Sequence, residues 1–225
     1  MYFSRLRPRP GAEKSPDFWR ALGDGYQLHQ LLWSHFGDAP ERKRDFIYRV
    51  EMTSGLPTFY VVSARPPRSS EGPLSVECKD YDPRIEEGRS FLFSLKANPV
   101  VSKRDEDDRQ HRHDVVMEAK QKLRAADPGN EAAFTAGLIQ EAGAAWLEER
   151  MERSGFMIKP EEIRVDGYRQ HVYQKPKARG AVRFSTLDFH GRLRVTDAGR
   201  FKETLYLGLG PAKAYGCGLL LIRRA

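Results

Sequence analysis

The stretch Asp45-Phe46-Ile47-Tyr48-Arg49-Val50-Glu51-Met52-Thr53-Ser54-Gly55-Leu56-Pro57-Thr58-Phe59-Tyr60-Val61-Val62-Ser63-Ala64 holds two β-like runs joined by a turn. Residues 45–52 alternate, with Phe46, Tyr48 and Val50 on one face, which is the period of a half-buried strand. Residues 57–64 carry Phe59, Tyr60, Val61 and Val62, side chains that suit a pleated surface. Gly55-Leu56-Pro57 supplies the turn between them.

Toward the N-terminus the pattern changes to a helical period over 24–36, with Asp24 as cap and Gly37 as stop. A polar stretch rich in Pro and Gly, from Pro8 to about Asp17, separates this helix from a first strand over 2–8. Toward the C-terminus, 66–90 is irregular, and Phe91, Phe93 and Leu95 alternate in one more strand over 90–97. Strand, helix, strand, strand, an ill-defined segment and strand is the order of a ferredoxin-like (RRM-type) unit with a degenerate second helix.

Residues 98–114 read as a polar connector of mixed charge at a domain boundary. Its His111-x-His113 has no nearby Cys or third His to complete a metal site, and a solvated loop is the expectation. Beyond it the theme repeats. A helix is predicted over 131–154, strands over 163–174 and 181–196, a short helix over 197–206, and a buried last strand at Leu219-Leu220-Leu221-Ile222. The expected fold is α+β: a unit over 1–97, a charged connector over 98–130, and a second ferredoxin-like unit over 131–225, whose own first strand is hard to place.

A chain of 225 residues with 40% hydrophobic and 11% aromatic residues can bury a real core. Its net charge of +7 favours phosphate-rich partners, because cations placed beside phosphates release condensed counterions. The two cysteines, Cys78 and Cys217, are far apart and form no CxxC, which points away from a zinc ribbon or redox pair and toward a reducing compartment. The first residues lack the apolar run of a signal peptide, and nothing approaches the ~20 apolar residues of a membrane span. A cytoplasmic protein is expected.

On the helix over 24–36, Leu28, Leu31, Leu32 and His35 share the core face, while Tyr26, His29 and Trp33 form a separate stripe at spacings of three and four. Histidine titrates nearest neutral pH, so His29 with Tyr26 beside it could perform general acid–base chemistry. The alternative is a pair of ordinary boundary residues. Near the end of the chain, Gly208-Leu209-Gly210-Pro211-Ala212-Lys213-Ala214-Tyr215-Gly216-Cys217-Gly218 is either a phosphate cradle built on backbone N–H groups and Lys213 or a structural turn. It is not a Walker A loop, which needs Gly-Lys-Ser/Thr, nor a dinucleotide fingerprint, whose third Gly is replaced by Lys213. Basic residues gather at Arg42-Lys43-Arg44 and at Lys175, Lys177 and Arg179 between two predicted strands, where a hairpin tip could follow a nucleic-acid backbone. Tyr168, His171 and Tyr173 before that tip offer stacking faces.

Several of these segments together resemble the CasE family, the repeat-RNA endoribonucleases of type I-E CRISPR systems. The matching stretches are Tyr26-Gln27-Leu28-His29, Arg44-Asp45-Phe46, Lys96-Ala97-Asn98-Pro99, Ala145-Trp146-Leu147 followed by Gly155-Phe156, Gly191-Arg192-Leu193, and the glycine-rich block from Gly208 through Leu220. They run in order over nearly the whole chain, and the last block is the most specific. The resemblance implies two tandem ferredoxin-like domains, cleavage of a CRISPR repeat hairpin, and retention of the mature crRNA as a Cascade subunit. It implies His29 as the catalytic residue with Tyr26 beside it. Lys213 and the loop glycines Gly208, Gly210, Gly216 and Gly218 would then serve the RNA site, and Lys175, Lys177 and Arg179 would contact the stem. The strand before Ala97-Asn98-Pro99 departs from the family in being poor in arginine, and the 103–113 segment is peculiar to this chain.

The expected reaction is attack of a 2′-OH on the adjacent phosphate, with His29 as general base or general acid, giving a 2′,3′-cyclic phosphate and a 5′-OH. No carboxylate cluster in the sequence suggests a metal, and no cofactor is expected. One rival is a non-catalytic RNA-binding scaffold of the same fold. A second is a small-molecule enzyme using the glycine-rich loop for a nucleotide, against which the failed Walker and dinucleotide patterns count.

Overall fold

The computed structural model of the chain describes residues 1–37, 44–69, 72–105, 107–126, 135–174 and 180–225. The first half consists of β1 (Tyr2–Pro8), α1 (Pro16–Gly23), α2 (Gly25–Trp33), β2 (Phe46–Thr53), β3 (Leu56–Ser63) and β4 (Leu74–Asp80). The four strands make one antiparallel sheet in the order β2-β3-β1-β4. The β2–β3 hairpin closes with Thr53 opposite Leu56. Its two loop residues, Ser54 and Gly55, have φ of 51° and 79°, the two left-handed residues that match the twist of a two-residue hairpin. α2 packs Leu32 and the following Phe36 against Leu6, Phe46, Tyr48 and Phe59 of the sheet.

The strand that completes this sheet is β4, not 90–97. β4 lies within the segment expected to be irregular, because only Leu74 of its seven residues is buried. Its residues carry little intrinsic strand signal, and pairing with β1 supplies the order. Glu77 accepts from both Arg5 and Arg7 at 2.6 Å across that pair. α1 is a further difference from the expectation. Pro16 at its first position and Asp17 in its first turn are favourable start signals in an otherwise polar stretch.

The alternating strand, β5 (Ser90–Ala97), opens the second half, which corrects the boundary expected at 97. β5 pairs with β10 (Ala181–Val195) on one side and with β11 (Leu220–Arg224) on the other. Its periodicity identifies the buried face, Phe91, Phe93, Leu95 and Ala97, but not the sheet that receives it. β5 is thus the first strand that the second unit lacks in the sequence reading. The expected connector is structured as well. It holds the hairpin β6 (Val100–Arg104) and β7 (Gln110–Asp114), then α3 (Val115–Ala126), whose Val116 is fully buried.

The rest follows the sequence closely, with α4 (Ala136–Met151), β8 (Phe156–Met157), β9 (Ile163–Gln174), β10, α5 (Ala198–Leu207) and β11. The second sheet runs β11-β5-β10, with β9 and the short β8 along the other edge of β10. Both halves place their last strand beside their first and their third beside the first, so the chain is two tandem ferredoxin-like units. The second core is larger and centres on Trp146, Leu147, Phe189 and Phe201. Among the described residues, no helix is long and apolar enough to cross a membrane.

Candidate functional site

α2 begins where the sequence places it. The Asp24 carboxylate accepts from the N–H groups of Tyr26 (2.8 Å) and Gln27 (3.4 Å), a cap that contributes about 1 kcal/mol. Leu32 anchors the core face, and His35, just past the helix, is buried with Nδ1 donating to the Arg68 carbonyl at 2.9 Å. Locking that seam leaves the Tyr26–His29–Trp33 stripe at the rim of the helix.

His29 is half-buried. Its ring lies 5.8 Å from Trp33 and 6.3 Å, stacked, from Phe46. Nδ1 is buried without a partner among the described residues. Burial lowers the imidazole pKa, and the Arg44 guanidinium lowers it further, so the ring is neutral at pH 7. Tyr26 stands one turn earlier on the same stripe, exposed, with its hydroxyl accepting from Gln30 Nε2 at 3.0 Å. The helix thus puts Tyr26 and His29 side by side without a hydrogen bond between them.

Arg44 links His29 to the glycine-rich loop. Burial lowers the Lys213 pKa, and the Arg44 charge acts in the same direction. Neither cation has a carboxylate partner among the described residues. The tight turn Lys213–Tyr215 is fixed against the first sheet by Tyr48, whose hydroxyl donates to the Ala214 carbonyl at 2.9 Å. Tyr48 is buried from its core strand outward, and its phenol pKa is raised by that burial.

The four loop glycines shape this turn. Gly208, Gly210, Gly216 and Gly218 have φ of 72°, 74°, 80° and 94°, all in the region that penalises a side chain. Leu209 N–H donates to Gly218 O (2.9 Å) and Gly218 N–H to Lys96 O (2.7 Å), so these donors are consumed within the fold. Gly216 and Gly218 are buried. Of the four, Gly208 and Gly210 are partly exposed, as is Lys213 beside them in the loop.

From the second unit, an aromatic stack closes on the start of α2. Tyr173 lies face to face with Tyr215 (5.5 Å, 13°), Phe184 packs on Tyr215 at 5.1 Å, and His171 stacks on Phe184 at 4.8 Å. Tyr173 and His171, expected to offer stacking faces, are therefore engaged within the protein, and Tyr168 donates to Asp114 at 2.9 Å. Lys175, Lys177 and Arg179, with Arg42 and Lys43, lie outside the described residues. Sequence reasoning misses Tyr48 and Tyr215 as parts of the site. Their roles come from contacts across 166 residues of sequence, and the only sign is an aromatic on each of two motifs.

A family model described as "CRISPR associated protein" matches residues 1–224. The chain is 30% identical over 200 residues to the CRISPR system Cascade subunit CasE of Escherichia coli K12, covering 88% of this chain and 90% of that one. It is 29% identical over 237 aligned positions to the CRISPR-associated endoribonuclease Cse3 of Thermus thermophilus, covering 99% of both. A solved structure of CRISPR endoribonuclease Cse3 bound to a 19-nt RNA superposes with a TM-score of 0.71 at 25% identity, over 99% of this chain and 100% of that one. With its two ferredoxin-like units and its match along almost the full length, the chain belongs to the CRISPR-associated family of CasE and Cse3.

Proposed function

We propose that this protein is a metal-independent endoribonuclease that binds the CRISPR repeat hairpin of a precursor crRNA, cuts it, and stays on the mature guide as a Cascade subunit in the cytoplasm. One observation carries the catalytic assignment. A half-buried, neutral imidazole, His29, lies within electrostatic reach of Arg44, and Arg44 in turn of Lys213, with neither cation neutralised by a carboxylate among the described residues.

A neutral imidazole is the form that accepts a proton, which favours His29 as the general base. It takes the proton of the 2′-OH, whose oxygen attacks the adjacent phosphorus in line. The bond from phosphorus to the 5′-oxygen breaks, and the leaving oxygen is protonated from solvent. The products are a 2′,3′-cyclic phosphate and a 5′-OH. Arg44 and Lys213 stabilise the negative charge that builds on the phosphoryl oxygens. Tyr26 positions the phosphate or the 2′-OH. The names of the relatives, an endoribonuclease and a Cascade subunit, support the substrate and the assembly.

The test is incubation of the protein, in EDTA, with a repeat hairpin from the same genome and with a copy carrying one 2′-deoxy substitution upstream of the cut. Cleavage of the first RNA alone is expected. Binding without cleavage of either would favour a non-catalytic scaffold.

A further inference from the structure

The β6–β7 hairpin and the β9–β10 hairpin stand side by side and enclose a cleft of about 580 Å³, within the range of small-ligand sites of roughly 300–1,000 Å³. Arg112 and Asp114 of the first hairpin line it with Gln170, His171, Arg183 and Phe184 of the second, and with Ala212 and Tyr215 of the glycine-rich loop. The reaction proposed above does not use the cleft.

Its chemistry is specific. Arg112 and Arg183 are exposed cations, and neither is in an ion pair among the described residues. The other charges of the β6–β7 hairpin are largely matched, as in Arg104–Asp108 (2.6 Å) and Lys103–Glu118 (2.5 Å). Asp114, the one carboxylate lining the cleft, makes no ion pair with either arginine; its oxygens accept from Tyr168 (2.9 Å) and from the N–H groups of Val116 (2.8 Å) and Met117 (3.0 Å), which holds the side chain against its own backbone. The Gln170 amide is held by Tyr168 at 3.1 Å, which fixes its orientation at the cleft wall. Phe184 is half-buried and held against His171 and Tyr215, so its ring is a fixed surface and not a free rotor.

Two unmatched guanidiniums beside fixed aromatic rings and an oriented amide fit a nucleotide: cations for the phosphate, a ring for the base face, an amide for the base edge. The glycine-rich loop at the cleft points to a nucleotide near the cut. Ala212 and Tyr215, which line the cleft, belong to the same glycine-rich loop as Lys213, so a nucleotide held in the cleft lies against the loop that carries that cation. We propose that the cleft between the two hairpins binds one unpaired nucleotide of the RNA, next to the stem at the cleavage site. This rests on the function proposed above and adds a binding site to it.

The test uses the full chain carrying His29→Ala, so that bound RNA stays intact. One RNA is the repeat stem-loop alone, and the other is the same stem with its single-stranded flank, carrying 2-aminopurine at the unpaired position next to the stem. The flank is expected to tighten binding by about tenfold, with quenching of the 2-aminopurine by stacking. Adding Arg112→Ala is expected to abolish most of that gain, with affinity for the bare stem as the internal reference. Arg112 is exposed, so this variant folds; adding Phe184→Leu instead should relieve the quenching. Equal affinity for the two RNAs, or an unquenched base, would overturn the cleft assignment while leaving the hairpin reading intact. Failure to bind either RNA would overturn both.

Discussion

Gly25, the first residue of α2, lies directly against the Tyr173 ring: a Cβ built on Gly25 would stand 2.7 Å from Tyr173 Cε2. Tyr173 belongs to β9 of the second unit and is itself stacked on Tyr215 of the glycine-rich loop. The helix that carries His29 is therefore seated on the second unit at its N-terminus and on the first sheet along its core face. Gly25→Ala must push α2 off Tyr173 or shift the ring. It should cost about 1–3 kcal/mol, as overpacking does, and reduce cleavage more than RNA binding. Tm and single-turnover rates measure the two effects.

Tyr48 connects the first core to the turn that presents Lys213. Tyr48→Phe keeps the ring and deletes the hydroxyl, leaving the Ala214 carbonyl without its 2.9 Å partner. The expected loss is about 1–3 kcal/mol, a drop of a few degrees in Tm. Cleavage should also slow, because Lys213 is the residue next to that carbonyl. Unchanged stability and rate would remove Tyr48 from the account.

Burial and Arg44 both hold the His29 pKa below its ordinary value of 6.5. A general base must be deprotonated, so the single-turnover kcat/KM should rise with pH through an inflection below 6.5 and level off near neutrality. Arg44→Gln removes one of the two causes, so the inflection should move up toward 6.5 while the plateau rate falls. An inflection that stays in place would mean that Arg44 does not act on His29.

His171 is also held below 6.5, chiefly by burial and then by Arg169 and Lys96. For both histidines the unfolded chain takes up a proton at a higher pH than the folded one. Stability is then fully present above about 6.5 and declines as pH falls toward the depressed folded values. Thermal unfolding at several pH values should show this slope between neutrality and mild acid, and a chain with His171→Gln should show less of it.

How much of this can be read from the sequence depends on the range of the interactions involved. The α2 cap at Asp24, the Tyr26–His29 stripe and the strands 163–174 and 181–195 are local patterns, and the structure has them where the period places them. β5 is visible as a strand but its sheet is not, since alternation in Phe91, Phe93 and Leu95 says nothing about pairing partners. β4 is invisible because an edge strand with one buried residue carries no hydrophobic period. The site divides in the same way. His29 and Tyr26 share one helix turn, whereas the approach of Arg44, Tyr48 and Lys213 is set by how the two units pack.

His29 is proposed to perform the chemistry and not the binding. The direct measurement is hairpin affinity and single-turnover cleavage for the natural chain and for His29→Ala, side by side. The expected result is Kd within a few-fold and a cleavage rate lower by about 10²–10⁴, the usual contribution of a general base. Cleavage by His29→Ala at the natural rate would contradict it.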